Sequence, residues 1–248
     1  MVDLTPDLDG RTALVTGSAT RVGRELLLRL AAAGADVAVH YLTSEDEAEA
    51  TAADARDRGA SATVVQGDVT EADDVDAMVA AVEADLGGVD ILCNVVGNFP
   101  QGNWDELGPA AWRDAYESCL MGTYLCSRAV VPGMCDRGWG RVVNFGVADA
   151  ARDCATPKNF PYFAAKKGVL MFTRALAADT QFDGVTANAI SPFAVENTIV
   201  DVDQESLPRG RPASFDDVAA PVLFFCSDAA AYVSGQNISV DGGRLPEA

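Results

Sequence analysis

Residues 12–35 read TALVTGSATRVGRELLLRLAAAGA, and this stretch decides the fold. A short apolar run ends at Thr16-Gly17, and apolar residues then recur at helical spacing from Val22 to Ala31. This pattern predicts a buried strand, a tight glycine turn and a helix. The first turn of such a helix carries unpaired N–H groups and the positive end of the helix dipole, so it can bind a pyrophosphate.

Two glycines suit the turn to that role. Gly17 can adopt a turn conformation closed to other residues, and Gly23 lets the start of the helix approach a ligand closely. A glycine pattern alone has little specificity, but a strand before it and a helix after it favour a cofactor-binding turn. The alternative is an ordinary strand–helix turn that binds nothing.

The length and the pattern of the 248-residue chain predict one large α/β domain. Strand and helix patterns alternate from Thr12 to Val240 without a linker, so we expect residues 1–248 to form a single domain. No apolar run is long enough to span a membrane. Because residues 1–10 lack the basic and apolar regions of a signal peptide, we expect a cytoplasmic protein.

The charge of the chain excludes several partners. There are 37 acidic and 18 basic residues, and the formal net charge of −19 makes nucleic acid and acidic membranes poor partners. Lysine occurs only at positions 158, 166 and 167. Many aspartates with few lysines indicate a salt-rich cytosol, where the screening length falls to about 3 Å at 1 M salt. The alternative is an acidic protein from an ordinary cytosol.

The cysteines and the histidine do not form a recognisable metal or nucleophile motif. The only histidine is His40, which leaves no His/Cys zinc cluster and no Ser–His or Cys–His pair. We therefore expect no metal, and we expect free thiols rather than disulfides. The six cysteines contain no C-x-x-C pair and stand at positions 93, 119, 126, 135, 154 and 226.

The remaining patterns alternate strictly between strand and helix, which predicts a doubly wound parallel sheet. Ser44 and Thr70 are the predicted N-caps of the second and third helices. After the first strand and helix, strands are predicted at 36–40, 62–66, 89–94, 141–145, 185–190 and 237–240. Helices are predicted at 44–58, 70–86, 109–135, 162–179 and 216–227.

Several motifs, in the right order and spacing, resemble those of the short-chain dehydrogenase/reductase family. The resemblance covers almost the whole chain. It implies a Rossmann-like fold, a nicotinamide cofactor, a reductase or dehydrogenase activity and a homotetramer. The matching segments are Thr16–Gly23 (TGxxxGxG), Asp68-Val69, Asn94–Gly97 (NNAG), Tyr162–Lys166 (YxxxK), Asn188–Pro192, Ser234–Gln236 and Asp241–Gly243.

The resemblance implies that Tyr162 and Lys166 carry the chemistry. At i and i+4 they share one helix face. The ordinary pKa of a tyrosine is about 10, and an adjacent ammonium is expected to lower it so that the phenol can exchange a proton with a carbonyl oxygen. The lysine is also expected to hold the nicotinamide ribose. A surface Tyr–Lys pair is the alternative, which the scarcity of lysine weakens.

Departures from the family bear on the cofactor. Arg21 replaces the middle glycine of the turn, as in the pteridine reductase branch, and His40–Ser44 resembles that branch's HYxRS, with Thr43 at the arginine position. No carboxylate at His40 or Tyr41 is available to bind a ribose 2′-hydroxyl. Ser44 and Arg21 could hold a 2′-phosphate, so NADP(H) is favoured over NAD(H).

The resemblance yields a complete list of expected cofactor-binding residues. These are Gly17, Thr20, Arg21, Val22, Gly23, His40, Tyr41, Ser44, Asp68, Val69, Asn94, Gly97, Tyr162, Lys166, Pro192, Val195 and Asn197.

The family's catalytic serine is missing. Alignment on the strand 141–145 puts Val147 in its place, whereas counting back from Tyr162 puts Asp149 there. Pteridine reductases carry an aspartate in this role, so Asp149 is a candidate third catalytic residue. A solvated surface acid is the alternative. Cys119 replaces the family's structural asparagine, and a thiol supports a hydrogen-bonded water chain poorly.

The substrate loop or lid, about residues 192–212, is also unusual. Phe193 replaces a glycine, and Asn197 competes with Thr198 for the position of the family's carboxamide-binding threonine. An apolar pocket able to stack a flat ring is expected from Phe99, Trp104, Phe160, Phe193 and Ile199.

These observations predict an NADP(H)-dependent reductase of a small-molecule carbonyl or imine. Arg21 and Asp149 favour a pterin-like or other cyclic substrate, and a 3-oxoacyl thioester or small ketone is the alternative. The missing serine and asparagine leave open a nucleotide-binding sensor with weakened catalysis.

Overall fold

The computed structural model describes residues 6–151, 156–197 and 207–244, and it confirms the predicted doubly wound α/β fold. Seven parallel strands form one sheet in the order β3-β2-β1-β4-β5-β6-β7. The strands are β1 (Thr12–Val15), β2 (Asp36–Tyr41), β3 (Ala62–Gln66), β4 (Ile91–Asn94), β5 (Gly140–Phe145), β6 (Val185–Pro192) and β7 (Asn237–Val240).

Helices cover both faces of the sheet. They are α1 (Arg21–Ala32), α2 (Glu45–Arg56), α3 (Ala72–Leu86), α4 (Pro109–Tyr116), α5 (Gly122–Arg137), α6 (Ala148–Ala151), α7 (Phe160–Asp179) and α8 (Phe215–Cys226). A π-helical segment, Glu117–Met121, joins α4 to α5, and short 3₁₀ turns lie at Pro208–Gly210 and Asp228–Ala230.

The strand order reverses at β1, which pairs with β2 on one side and with β4 on the other. Thr12 lies beside Asp36, and Ala13 lies beside Ile91. In an open parallel sheet, a ligand crevice forms outside the carboxyl ends of the strands at such a switch point. The fold therefore places the crevice beside the glycine turn that follows β1.

Two apolar clusters sandwich the sheet because successive strand residues point to opposite faces. Val15 belongs to the cluster that includes Leu27 of α1 and Phe225 of α8. Leu14 belongs to the other cluster, with Met78 of α3 and Met134 of α5. This double burial accounts for the nearly continuous apolar character of the strands.

The structure corrects several local predictions. The cap of α3 is Glu71, not Thr70, because the Thr70 hydroxyl donates to the Asp68 carboxylate at 2.7 Å. The predicted helix 109–135 is interrupted by the π-helical segment. A short helix, α6, lies between the predicted strand 141–145 and the predicted helix 162–179, where no helix was predicted.

The five described cysteines are free thiols, and four of them are buried. Cys154 and the lid positions 198–206 lie outside the described residues. Across the described ranges, no helix combines the length and the apolar character needed to cross a bilayer.

Candidate active site

The turn between β1 and α1 presents a helix start to the crevice. Gly17 has a φ of +67°, in the left-handed region open to glycine. A Cβ on Gly23 would lie 2.3 Å from the carbonyl oxygen of Gly17, so the helix start and the turn touch. The N-cap, Thr20, makes no side-chain capping bond, and the first turn contains no acidic residue. The first N–H groups of α1 therefore fit a pyrophosphate.

Arg21 also has a positive φ, of +53°. This conformation costs a residue with a side chain about 1–2 kcal/mol, which explains the glycine in the motif that the turn resembles. Arg21 is exposed and lines two clefts, one with Tyr162 and one with Arg24. Its guanidinium adds positive charge where a dinucleotide's phosphates would lie.

His40 holds this turn from the neighbouring strand. Its ring is 2% exposed, its Nδ1 accepts the Gly17 N–H at 2.8 Å, and its Nε2 lies 2.9 Å from the Gly67 carbonyl oxygen. With Nδ1 accepting, the proton is on Nε2, and the imidazole is neutral. Sequence analysis assigned His40 to the cofactor; the structure shows it as the bridge between the ends of β1 and β3.

The ends of β2 and β3 present the remaining residues expected at the adenosine. Tyr41 is buried, and Ser44 precedes α2 without making a side-chain cap bond. The Asp68 carboxylate accepts the N–H of Thr70 at 2.9 Å, which fixes it in the turn after β3. Val69 is buried against Gly122, where a Cβ would lie 2.9 Å from Val69 Cγ2.

Asn94 belongs to a buried amide network that aligns the strand ends. Its Nδ2 donates to Asn144 Oδ1 at 2.9 Å, and Asn144 Nδ2 donates to the Thr173 hydroxyl at 2.9 Å. The Thr16 hydroxyl accepts the N–H of Val95 at 2.9 Å and so joins β1 to the end of β4. These bonds connect β1, β4, β5 and α7 around the crevice. Sequence analysis missed the roles of Thr16 and Asn144, because their partners are distant in sequence.

Tyr162 and Lys166 lie on α7 as the i, i+4 spacing predicts. The Lys166 side chain is 2% exposed, its Nζ donates to the Phe145 carbonyl oxygen at 2.8 Å, and it lies 5.7 Å from the centre of the Tyr162 ring. Desolvation lowers the pKa of Lys166 and raises the pKa of Tyr162. The expected lowering of the phenol pKa is therefore wrong: burial raises it, and the Lys166 ammonium bonds to the Phe145 carbonyl.

Gly97 allows this lysine to be buried. A Cβ at Gly97 would lie 3.1 Å from Lys166 Nζ and 2.7 Å from Cys119 Sγ. Cys119 belongs to the π-helical segment, is fully buried, and has a thiol pKa raised by desolvation. Its thiol lies 3.9 Å from the Asn98 carbonyl oxygen. A protonated buried thiol does not serve as a nucleophile.

The reaction cleft, of ≈ 230 Å³, contains most of the predicted groups of the nicotinamide end. The Phe99 ring packs edge-on against Tyr162 with centroids 4.8 Å apart. The cleft is lined by Arg21, Val22, Val95, Phe145, Gly146, Val147, Tyr162, Lys166, Pro192, Phe193, Val195, Glu196 and Asn197. A second cleft, of ≈ 290 Å³, continues past Arg21 to Thr20 and Arg24.

Val147 lines the reaction cleft, and Asp149 does not. The Asp149 carboxylate pairs instead with Arg244, whose guanidinium carbon lies 4.0 Å from the centre of the Phe193 ring. The structure thus gives Asp149 a partner other than Tyr162, and the expected relay role loses its geometric support. Sequence analysis did not single out Arg244, although it is a basic residue directly after Asp241–Gly243 in an acidic chain.

The expected apolar pocket is only partly formed. Phe193 lines the reaction cleft and Phe99 packs against Tyr162, but Trp104 and Phe160 are exposed and do not line the cleft. Phe160 packs on the Trp112 ring instead, at 5.7 Å. Ile199 and Thr198 lie outside the described residues. In the described segments, no cluster of His, Cys, Asp and Glu side chains is placed to hold a metal ion.

A family model described as enoyl-(acyl carrier protein) reductase matches residues 17–244. The chain belongs to the short-chain dehydrogenase/reductase family. As a member of this family it is an NAD(P)-dependent oxidoreductase, which confirms the predicted enzyme class.

Relatives of known name support this assignment over nearly the full chain. Nodulation protein G of Azospirillum brasilense is 34% identical over 241 residues, covering 94% of this chain and 97% of that protein. A 3-oxoacyl-(acyl-carrier-protein) reductase of Staphylococcus aureus is 31% identical, with the same coverage of 94% and 97%. The solved gluconate 5-dehydrogenase of Burkholderia cenocepacia, in complex with NADP and tartrate, matches with a TM-score of 0.88 at 32% identity, covering 95% of each chain.

The His40 bridge predicts a pH-dependent stability. Desolvation lowers the pKa of His40 from its ordinary value of 6.5, against the opposing effects of the Gly67 carbonyl and Asp68. The unfolded chain therefore binds a proton that the folded chain does not, and stability is lost as the pH falls below about 6.5. We expect His40→Asn to lower the free energy of unfolding by about 1–3 kcal/mol at pH 7.5.

Urea unfolding of the parent and of His40→Asn between pH 7.5 and pH 5 measures this effect. The two proteins contain the same carboxylates, so the difference between their free energies of unfolding reports on His40 alone. That difference should shrink as the pH falls. A difference that is constant across the range would contradict the neutral bridge.

Proposed function

We propose that this short-chain dehydrogenase/reductase is an NADPH-dependent carbonyl reductase that acts on 3-oxoacyl thioesters or small ketones. One observation carries the proposal: the Tyr162 phenol and the buried Lys166 lie in a cleft at the carboxyl edge of the sheet, which Arg21 at the start of α1 also lines. The name of the Staphylococcus aureus relative supports a 3-oxoacyl substrate.

Tyr162 and Lys166 have different roles in the proposed reaction. When bound in this cleft, NADPH would supply the hydride that reduces the carbonyl carbon and would leave as NADP⁺. Tyr162 donates its phenol proton to the carbonyl oxygen, so the C=O group becomes a secondary alcohol. The phenol carries its proton at neutral pH, as reduction requires, and burial raises its pKa, which makes it a weaker acid than a solvated tyrosine. Lys166 stabilises the resulting phenolate through its nearby charge.

Val147 leaves the cleft without the hydrogen-bonding side chain that the family has at this position. It stands in the cleft where the family has a serine, and its side chain cannot hydrogen-bond to a carbonyl. Orientation of the substrate oxygen therefore depends on Tyr162. The alternative function, a nucleotide-binding sensor with weakened catalysis, rests on Val147 and Cys119 together.

A pterin-like substrate is no longer favoured. Its sequence support came from Arg21 and Asp149, and Asp149 pairs with Arg244 rather than lining the cleft. Two of the relatives that match over nearly the full chain are named for 3-oxoacyl and gluconate chemistry.

The activity is tested by replacing the proton donor. We expect Tyr162→Phe to lower kcat for the N-acetylcysteamine thioester of acetoacetate by ~100-fold or more, because no other cleft residue replaces the phenol. NADPH oxidation should be followed in 2 M KCl. The N-acetylcysteamine thioester is neutral, so the acidic protein does not repel it as it would repel a substrate on an acidic acyl carrier.

The fully exposed Tyr232 provides the matched control, since Tyr232→Phe should leave kcat unchanged. NADPH binding by Tyr162→Phe, measured by fluorescence, should be retained. Equal slow rates in the parent and in Tyr162→Phe, with NADPH still bound, would favour the sensor.

NADP(H) is proposed over NAD(H) because of the charges around the end of β2. His40, Tyr41 and the two residues that follow present no carboxylate for a ribose 2′-hydroxyl, and Arg21 lines the adjoining cleft. The acidic first turn of α2, at Glu45–Glu47, opposes a 2′-phosphate, so the preference depends on Arg21.

Two substitutions of Arg21 separate its charge from its backbone strain. We expect Arg21→Met to raise the Kd for NADPH ~10-fold and the Kd for NADH less than 3-fold, since only NADPH carries the additional phosphate. Arg21→Gly should lose the same preference while being at least as stable as the parent, because glycine tolerates a positive φ. Equal losses for both cofactors would contradict the proposal.

We also propose a homotetramer that is stabilised by salt, in a salt-rich cytoplasm. The face formed by the π-helical segment, α5 and α7 exposes Met121, Tyr124 and Met171, the last at 63%. Apolar exposure of this kind marks a protein interface. The net charge of −19 on each chain opposes association unless salt screens it.

Sedimentation velocity measures the assembly directly. We expect tetramers in 2 M KCl and smaller species in 50 mM KCl. Met171→Glu should dissociate the tetramer at both salt concentrations, whereas the exposed Phe182→Glu should not. A monomer in 2 M KCl would contradict the proposal.

A further inference from the structure

Three segments that leave the carboxyl edge of the sheet meet at Arg244. Asp149 follows β5, Phe193 follows β6, and Arg244 follows β7. Arg244 Nη1 pairs with Asp149 Oδ1, and its guanidinium carbon lies 4.0 Å from the centre of the Phe193 ring. We call these three residues the Arg244 clamp.

The clamp is partly shielded from solvent. The side chains of Arg244 and Asp149 are 25% and 18% exposed, whereas those of the Arg128–Asp76 surface pair are 44% and 58% exposed. Exposed ion pairs contribute little because water and salt screen them. The planar guanidinium pairs through one edge and stacks through one face, and these two contacts fix its orientation. A lysine ammonium has no plane and would not be fixed in this way.

The backbone reinforces the same contact. Phe193 N–H donates to the Val240 carbonyl oxygen at 3.2 Å, and Arg244 N–H donates to the Asp241 carbonyl oxygen at 3.2 Å. The last residue of β7 therefore holds the main chain of Phe193, and Arg244, after β7, holds its ring.

Phe193 separates two cavities. On one side is the reaction cleft, with Tyr162 and Lys166. On the other is a cavity of ≈ 530 Å³ whose apolar lining includes Leu207, Pro208, Pro212, Pro221, Ile238 and Val240. The position of the Phe193 ring therefore determines whether a substrate in the cleft can extend into the larger cavity.

We propose that Arg244 is a positioning residue that fixes Phe193 as a wall of the reaction cleft, and that Asp149 acts by orienting Arg244. The fixed wall selects short substrates and keeps longer acyl chains out of the larger cavity. The proposal also gives a single purpose to two departures from the family, Phe193 for glycine and a carboxylate at position 149. It rests on the proposed carbonyl reductase function.

The specificity test compares the N-acetylcysteamine thioesters of acetoacetate and 3-oxooctanoate. In the parent, kcat/KM should favour the shorter thioester. Arg244→Met and Phe193→Leu should each raise the long-to-short ratio of kcat/KM by ~5-fold or more, mainly through KM. Arg244→Lys and Asp149→Asn should shift the ratio in the same direction by less, because each keeps part of the clamp.

Two further results distinguish a clamp from general damage. The double variant Arg244→Met/Phe193→Leu should match Phe193→Leu alone, because the two residues act as a unit. The matched control, Arg128→Met, should leave the ratio unchanged, and the Kd for NADPH should stay within 2-fold in every variant. Two results would overturn the proposal. One is a long-to-short ratio of kcat/KM that is the same in Arg244→Met as in Arg128→Met. The other is a double variant in which the separate effects of Arg244→Met and Phe193→Leu multiply.

Hydrogen–deuterium exchange tests the clamp without turnover. Arg244→Met should speed exchange of the amides of residues 193–197, and Arg128→Met should not. If the parent reduces neither thioester, the proposed function fails, and this exchange still tests the clamp. Equal exchange in the two variants would overturn it.

Discussion

The buried ammonium of Lys166 organises the site of this oxidoreductase. Lys166 is almost completely shielded from water, and its Nζ donates to the carbonyl oxygen of Phe145. A buried charge is unfavourable unless its surroundings compensate it, so the neighbouring elements must meet it closely. Gly97 lies over it without a Cβ, and Cys119 packs beside it from the π-helical segment. The same desolvation raises the pKa of the Tyr162 phenol, which links the packing of α7 to the acidity of this side chain.

The other end of the crevice depends on a neutral group. His40 uses one ring nitrogen to accept the Gly17 N–H and the other to reach the Gly67 carbonyl. It therefore holds the glycine turn against β2 and β3 without placing a charge beside the turn. The positive charge comes instead from Arg21, at the expense of a left-handed backbone conformation. Strain of this kind persists where the surrounding structure fixes the residue, and it accords with a binding role at the start of α1.

The substrate side departs furthest from the family. Val147 cannot hydrogen-bond to a carbonyl, and Phe193 brings a ring where a glycine is usual. Arg244 pairs with Asp149 and stacks on Phe193. In our proposal Asp149 therefore orients Arg244 and does not relay a proton. The reaction cleft combines apolar lining residues, such as Val147 and Phe193, with the charged Arg21 and Lys166.

The sequence by itself determined the fold class and the residues on α7. Alternating strand and helix patterns predicted the parallel sheet, and the i, i+4 spacing placed Tyr162 and Lys166 on one face, since both signals are local. The spacing did not give the pKa direction of Tyr162, because desolvation depends on what packs around it. Only the tertiary structure decided that Val147 faces the cleft, that Asp149 pairs with Arg244 across 95 residues, and that the predicted helix 109–135 contains a π-helical segment. These outcomes depend on contacts between distant segments, which no local pattern records.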